Sequence, residues 1–294
     1  MHHPHNPPML SRRRVLQSLA AAAACPVCAG LAGQAFATDI NAGPMAGHGT
    51  AQPMAQPMAQ PMPKADMPHA APHWEYDGMA GPGHWGTLSP DFGTCATGRD
   101  QSPIDLRWPV PAQTGHIETA FRAMPLRIVN NGHTIQVNCA PGSQSRIDGV
   151  IHDLLQFHFH HPSEHLLSGR RFDMECHFVH RSAAGGLAVL GVFIMPGAEN
   201  MALKPIFDQM PAKPGPEVAS STVIRPDSLL PMDRHYLRYA GSLTTPPCSE
   251  GVVWSVYRQP ITASPAQIRQ FATLFALNAR PVQPQHRRYL LESL

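Results

Sequence analysis

Residues 156–165 read QFHFHHPSEH, with four histidines in ten positions. His158 and His160 alternate with Phe157 and Phe159. In a β-strand, side chains two apart share a face. Gln156, His158 and His160 therefore point one way, and the two phenylalanines point the other way, into a core. A second segment, ECHFVHR (175–181), repeats the pattern: Glu175, His177 and Val179 share one face, and Cys176, Phe178 and His180 the other. Ser168-Gly169 lies between the two segments and suits a turn. Strands folded symmetrically about that turn place His160 opposite His177 and His158 opposite Val179. Directly opposed Cβ atoms lie about 4.5–5.5 Å apart, so three imidazoles come within reach of one ion. A one-residue slip of the register would scatter them. Three neutral imidazoles and one open position are the ligand set of a catalytic zinc; a structural zinc is closed by four protein ligands, mostly cysteine. On spacing alone, a structural or adventitious metal site and a pair of solvent-facing histidines also fit.

The elements that must hold these residues are mostly strands. From His73 onward, short runs rich in β-branched and aromatic residues alternate with turn clusters. LRIVNNGHTIQVNC (126–139) reads as two strands around Asn130-Asn131-Gly132, and 187–195 and 251–257 also read as strands. Helical stretches are few: 200–210 and 264–275, the latter with Ser264 as N-cap and Pro265 at the first helical position. The expectation is a β-dominated α+β chain with one domain over 73–294. About 220 residues suffice for one large β-rich domain. The net charge is only +2, and no Lys/Arg cluster lies outside the N-terminal segment, which argues against nucleic acid or an anionic membrane surface as partner.

Residues 1–37 read as an export signal. Ser11–Ala37 runs from a basic stretch through an Ala-rich apolar run to Ala35-Phe36-Ala37, an A-x-A-like cleavage site. Arg12-Arg13 followed by Arg14, Val15 and Leu16 favours the twin-arginine route; an ordinary secretory signal with an extra arginine is the alternative. The run is short and broken by Pro26, so no stable membrane insertion is expected after signal removal. The product is expected to be periplasmic or secreted. Residues 38–72, with AQPMAQPMAQPMP (51–63), read as a disordered tether. Its Met45, Met54, Met58, Met62, Met67, His48 and His69 offer soft ligands for Cu(I), though a plain spacer accounts for them as well. Cys25 and Cys28 fall in the signal, which leaves Cys95, Cys139, Cys176 and Cys248. An oxidising compartment permits disulfides, and four cysteines allow three full pairings.

Motifs along the rest of the chain resemble those of the α-class carbonic anhydrases, in family order: HWEYDG (73–78), GPGHW (81–85), QSPIDL (101–106), NNGH (130–133), QFHFHHPSEH, ECHFVHR, LAVLGVF (187–193) and SLTTPPCSEGVVW (242–254). The resemblance implies a large, twisted, mostly antiparallel central sheet with short peripheral helices. It implies reversible hydration of carbon dioxide to bicarbonate and a proton by a zinc-bound hydroxide, with one zinc per chain held by His158, His160 and His177. Gln156 and Glu175 match acceptors for the ring N–H groups of His158 and His177, and a main-chain carbonyl near Asn278 would serve His160. Thr244 is expected to donate its hydroxyl proton to Glu164 and so to orient the hydroxide. Val179, Val189, Leu243, Thr245, Val252 and Trp254 match the substrate pocket. His133 matches a proton shuttle, and Tyr76, Asn131 and Gln136 match positions that order water, although the glutamine departs from the commonest residue there. Cys95 and Cys248 match a disulfide of secreted members; Cys139 and Cys176 have no such partner. His161 and His165 are expected to bind no metal. The expected assembly is a monomer or homodimer.

Overall fold

The computed structural model describes residues 72–294, so the segments expected to be an export signal (1–37) and a tether (38–72, but for its last residue) lie outside the described residues. The strands are β1 (Asp105–Leu106), β2 (Val110–Ala112), β3 (Glu118–Ala120), β4 (Met124–Asn130), β5 (Ile135–Asn138), β6 (Gln144–Ile147), β7 (Val150–His160), β8 (Leu166–Leu167), β9 (Met174–Ser182), β10 (Leu187–Pro196), β11 (Val218–Ile224), β12 (Tyr236–Ser242), β13 (Glu250–Tyr257), β14 (Ile261–Ala263) and β15 (Leu291–Ser293). The α-helices are short: α1 (Trp85–Leu88), α2 (Thr94–Thr97), α3 (Lys204–Phe207) and α4 (Pro265–Ala272).

A 13-stranded sheet organises the domain, in the order β11-β4-β5-β7-β9-β10-β13-β12-β15-β2, with β3, β6 and β14 off this path. Most neighbours are antiparallel, as expected. The sheet is nonetheless mixed, because β10 runs parallel to β13 and β14, and β15 parallel to β2. A separate two-stranded sheet joins β1 to β8. The alternation read in the sequence works as a sorting device. Phe157, Phe159, Cys176 and Phe178 are fully buried in one large apolar cluster. A second cluster, built on Val189, Val252, Trp254, Leu237 and Tyr239, holds a different set of residues.

The pairing of β7 with β9 differs from the symmetric hairpin expected. His158 lies opposite His177, His160 opposite Glu175, and Gln156 opposite Val179. The register has moved by two residues because the connection is not a simple turn about Ser168-Gly169. It carries β8, which pairs with β1, and Ser163 Oγ accepts from Phe172 N at 3.0 Å. An even slip preserves side-chain parity, so the three histidines still share a face. The helix expected over 200–210 is one turn long. Asn200 Oδ1 accepts from the N–H groups of Ala202 and Leu203, which holds the preceding residues in a capping turn. In α4, Ser264 caps as expected, in a reciprocal box with Gln267.

Candidate active site

β7 and β9 bring His158, His160 and His177 together, with one ring nitrogen of each within 4.8 Å of the others. The other nitrogen of each ring is engaged. His158 Nδ1 donates to Gln156 Oε1 at 2.8 Å, His160 Nδ1 to the Asn278 carbonyl at 2.7 Å, and His177 Nε2 to Glu175 Oε1 at 2.9 Å. These partners fix the tautomers and leave Nε2, Nε2 and Nδ1 facing one point. His160 Nε2 is buried there with no hydrogen-bond partner. Burial, then the neighbouring imidazoles, hold His158 well below its ordinary pKa; burial also lowers His160. Burial thus favours the neutral, ligating form of His158 and His160, which is what a zinc ion requires. Three convergent, oriented, neutral nitrogens, one of them orphaned, fit zinc in the open three-ligand form.

A second convergence, of His165, Glu175 and His177, has different chemistry. Glu175 is saturated: Oε1 accepts from His165 Nδ1 and His177 Nε2, and Oε2 from the backbone N–H groups of Glu164 and His165. Burial alone would raise its carboxyl, but the paired histidines hold it well below the usual carboxylate range. His165 Nε2 is in turn bonded to the Tyr239 hydroxyl at 2.6 Å. This set is a scaffold that aims His177 and fixes the backbone at Glu164.

Glu164 is fully buried. Its Oε1 accepts from Arg280 N at 2.8 Å. Its Oε2 has no partner and lies 3.6 Å from His160 Nε2 and 3.8 Å from His177 Nδ1. The hydrogen bond expected from Thr244 is not formed, because Oε2 is turned toward the histidine nitrogens instead. Thr244 itself is buried and lines the same cavity.

That cavity has a volume of about 240 Å³ and is walled by His158, His177, Val179, Val189, Leu243, Thr244, Thr245 and Trp254, with Gln156 at its edge. Val252 was expected in the wall, but it is buried in the apolar cluster and does not line the cavity. Trp254 is held by its indole N–H, which donates to the Ser242 carbonyl at 2.9 Å.

His133 sits on the turn between β4 and β5, where Gly132 takes φ +90°. Asn131 Oδ1 accepts from His133 N and Thr134 N, so this side chain builds the turn. The His133 ring stacks on Trp74 at 3.6 Å and 8°. Burial lowers its pKa, Glu75 raises it and His73 lowers it further. Burial and then the Glu164 carboxylate raise the Tyr76 phenol, so Tyr76 is within electrostatic reach of Glu164.

Residues 80–293 match the family model described as eukaryotic-type carbonic anhydrase. The chain belongs to the α-carbonic anhydrase family. A carbonic anhydrase from Nostoc sp. is 45% identical over 229 residues, 76% of this chain and 86% of that protein. One from Pectobacterium carotovorum is 44% identical, covering 74% of this chain and 90% of that protein. A solved α-carbonic anhydrase from Thermovibrio ammonificans, in complex with the inhibitor sulfanilamide, matches with a TM-score of 0.74 and 42% identity, over 76% of this chain and all of that one. The chain is thus an enzyme of the carbonic anhydrase class, with carbon dioxide hydration as its family reaction.

Arg280 and the side chain of Asn278 carried no sequence signal of their place at this carbonic anhydrase site. Arg280 is buried, and its guanidinium donates to Gln101 Oε1, the Ser102 carbonyl and the Cys95 carbonyl, while its backbone N–H holds Glu164. Burial brings its pKa down to about 10, against the opposing effect of Glu164. The Asn278 side chain does more than its carbonyl was expected to do. It donates to the His133 and Phe159 carbonyls and accepts from His161 N, tying the His133 turn to the end of β7. Cys95 and Cys248 form a disulfide; Cys139 and Cys176 are free thiols.

The acceptor on each ring is directly testable. Gln156→Ala should lower zinc affinity by about 10–100-fold, the usual cost of losing the partner of a ligating imidazole. Competition with a chromogenic chelator measures it; an unchanged affinity would mean that Gln156 does not orient His158.

Proposed function

We propose that the chain catalyses the zinc-dependent, reversible hydration of carbon dioxide to bicarbonate and a proton, with His158, His160 and His177 holding the ion. The observation that carries this reading is the convergence of three oriented imidazole nitrogens beside a cavity with an apolar wall. Zinc bound there supplies a nucleophilic hydroxide at neutral pH, because it brings the pKa of a water down to about 7. The protein's residues do the rest. Val179, Val189, Leu243 and Trp254 offer carbon dioxide a surface without hydrogen-bond donors, while Thr245 gives the cavity a polar edge. We assign the Thr244 hydroxyl proton to the buried, unpartnered Oε2 of Glu164; this requires Oε2 to turn from the His160 and His177 nitrogens that it now faces and that zinc would take. Ionised carboxylates only accept. Thr244, having given its proton away, can then only accept in turn, and so selects a nucleophile that still carries one. Arg280 N and the Glu175 scaffold hold Glu164 in place for this.

His133 carries the released proton outward. An imidazole suits the task; burial lowers the pKa of His133, which favours release of the proton once it has been taken up, and the turn is exposed at Asn131 and Gly132 beside it. His133→Ala should slow turnover in weak buffer on the order of 10–100-fold, at or below the lower end of what a positioned proton-transfer group contributes. Added imidazole should restore the rate. An unchanged rate in weak buffer would return His133 to a role in the turn alone.

The Cys95–Cys248 disulfide supports export to an oxidising compartment, for which we propose the periplasm. Among the described residues no helix is long and apolar enough to cross a membrane. Zinc analysis paired with stopped-flow carbon dioxide hydration tests the whole reading: one zinc per chain without hydration would refute it.

A further inference from the structure

Gln136, opposite His158 on β5, is the first member of a hydrogen-bonded chain. Its Nε2 donates to Asn138 Oδ1 at 2.7 Å. Asn138 Nδ2 donates to Glu217 Oε2 at 2.6 Å, and Arg127 Nε donates to Glu217 Oε1 at 2.6 Å. The chain thus crosses from β5 to Glu217, just before β11, and to Arg127 on β4.

Its direction is dictated by charge. A guanidinium only donates and a carboxylate only accepts. Glu217 must therefore meet the Nδ2 of Asn138, which turns Asn138 Oδ1 toward Gln136. Gln136 must then present its Nε2. Left alone, a glutamine amide presents oxygen or nitrogen with little preference; here a carboxylate two links away decides which. Gln136 lies opposite His158 and Asn138 opposite Gln156, so both share the face of the zinc-site histidines. Asn138 is further along β5, away from the turn that carries His133. The planar amide has its two heteroatoms on opposite sides, so Oε1 is presented toward that turn.

We infer that Asn138 and Glu217 are positioning residues for proton export, locking Gln136 with its acceptor oxygen toward the His133 turn. There it holds the water through which the proton reaches His133. This rests on the reading of His133 as the shuttle. The hydrogen bonds from Asn138 and Arg127 hold the Glu217 carboxyl below its ordinary range, so it remains charged wherever the enzyme works. An exposed pair such as Glu217–Arg127 contributes little to stability, so the role of the chain lies in orientation.

Three variants test this. Asn138→Leu cuts the chain. Glu217→Gln keeps one oxygen for Arg127 and turns an NH2 toward Asn138, which reverses Asn138 and, through it, Gln136. The double variant Asn138→Asp/Glu217→Gln moves the carboxylate one link inward and still demands Nε2 from Gln136. In weak buffer, kcat should fall at least about twofold in both single variants, since the amide torsion of Gln136 is roughly two-fold once released by Asn138→Leu and is reversed by Glu217→Gln. kcat/KM for carbon dioxide should be unchanged, and the double variant should recover kcat. In metal-free protein, the side-chain amide protons of Gln136 should exchange slowly with solvent by NMR in the wild type and the double variant, and fast in the single ones. Equal falls in kcat and kcat/KM, or fast exchange in the wild type, would overturn the inference. So would unchanged kcat in the single variants while His133→Ala is slow. If His133→Ala is also unchanged, the shuttle reading fails and takes this inference with it.

Discussion

His177→Ala should leave the enzyme without zinc after dialysis and without carbon dioxide hydration above background. Losing an outer partner of a zinc ligand costs about 10–100-fold in metal affinity, and losing a ligand costs more. Two imidazoles from one strand, His158 and His160, cannot close three sides of a tetrahedral ion; the third direction comes only from β9. The variant should stay folded. His177 makes its one hydrogen bond to Glu175, and that carboxylate keeps His165 and two backbone N–H groups as donors. His177→Gln, which better preserves volume, separates loss of a ligand from a packing defect and should also lose zinc. Retention of one zinc and wild-type hydration in either variant would exclude His177 as a ligand.

Removal of the Cys95–Cys248 disulfide by the double variant Cys95→Ala/Cys248→Ala should be the largest single loss of stability outside the core. The bond spans 153 positions, for which chain entropy gives about 5 kcal/mol as an upper figure. In a domain of this size that corresponds to a fall in melting temperature of about 10–20 °C. Activity should weaken with it. Cys248 follows the Thr244 loop, its carbonyl accepts from Gln101 Nε2, and the Cys95 carbonyl accepts from Arg280, whose backbone N–H holds Glu164. Thermal melts with and without reductant measure the effect. A shift of only a degree or two would mean that the reduced chain is held by other contacts.

What could be read from the sequence follows from what is local. Alternation in QFHFHHPSEH and ECHFVHR fixed which residues face the metal and which face the core, because parity depends only on strand geometry. Register depends on the connection, and 161–173 carries its own strand and side-chain bonds, so a symmetric hairpin misplaced the pairing by two residues. The convergence of His158, His160 and His177 survived because the slip was even. Arg280 and the side chain of Asn278 left no trace in the sequence. Each acts through backbone groups more than 100 residues away, and neither sits in a periodic pattern. Val252 matched a pocket position of the family; it shares a strand face with Trp254, but Trp254 lines the cavity and Val252 lies in the apolar cluster behind it. Of the four histidines in the opening segment, His165 has both ring nitrogens engaged, by Glu175 and Tyr239, and His161 is directed to the Ala276 carbonyl and lies outside the group; His158 and His160 turn a nitrogen to the point shared with His177.

The central claim is that a zinc ion on these three histidines performs the hydration. Its most direct test is a titration of metal-free enzyme with zinc, followed by stopped-flow hydration of carbon dioxide. The account predicts activity that rises linearly to one zinc per chain, then stays level, and is abolished by a chelator. Full hydration in metal-free protein, or none at one zinc per chain, would contradict it.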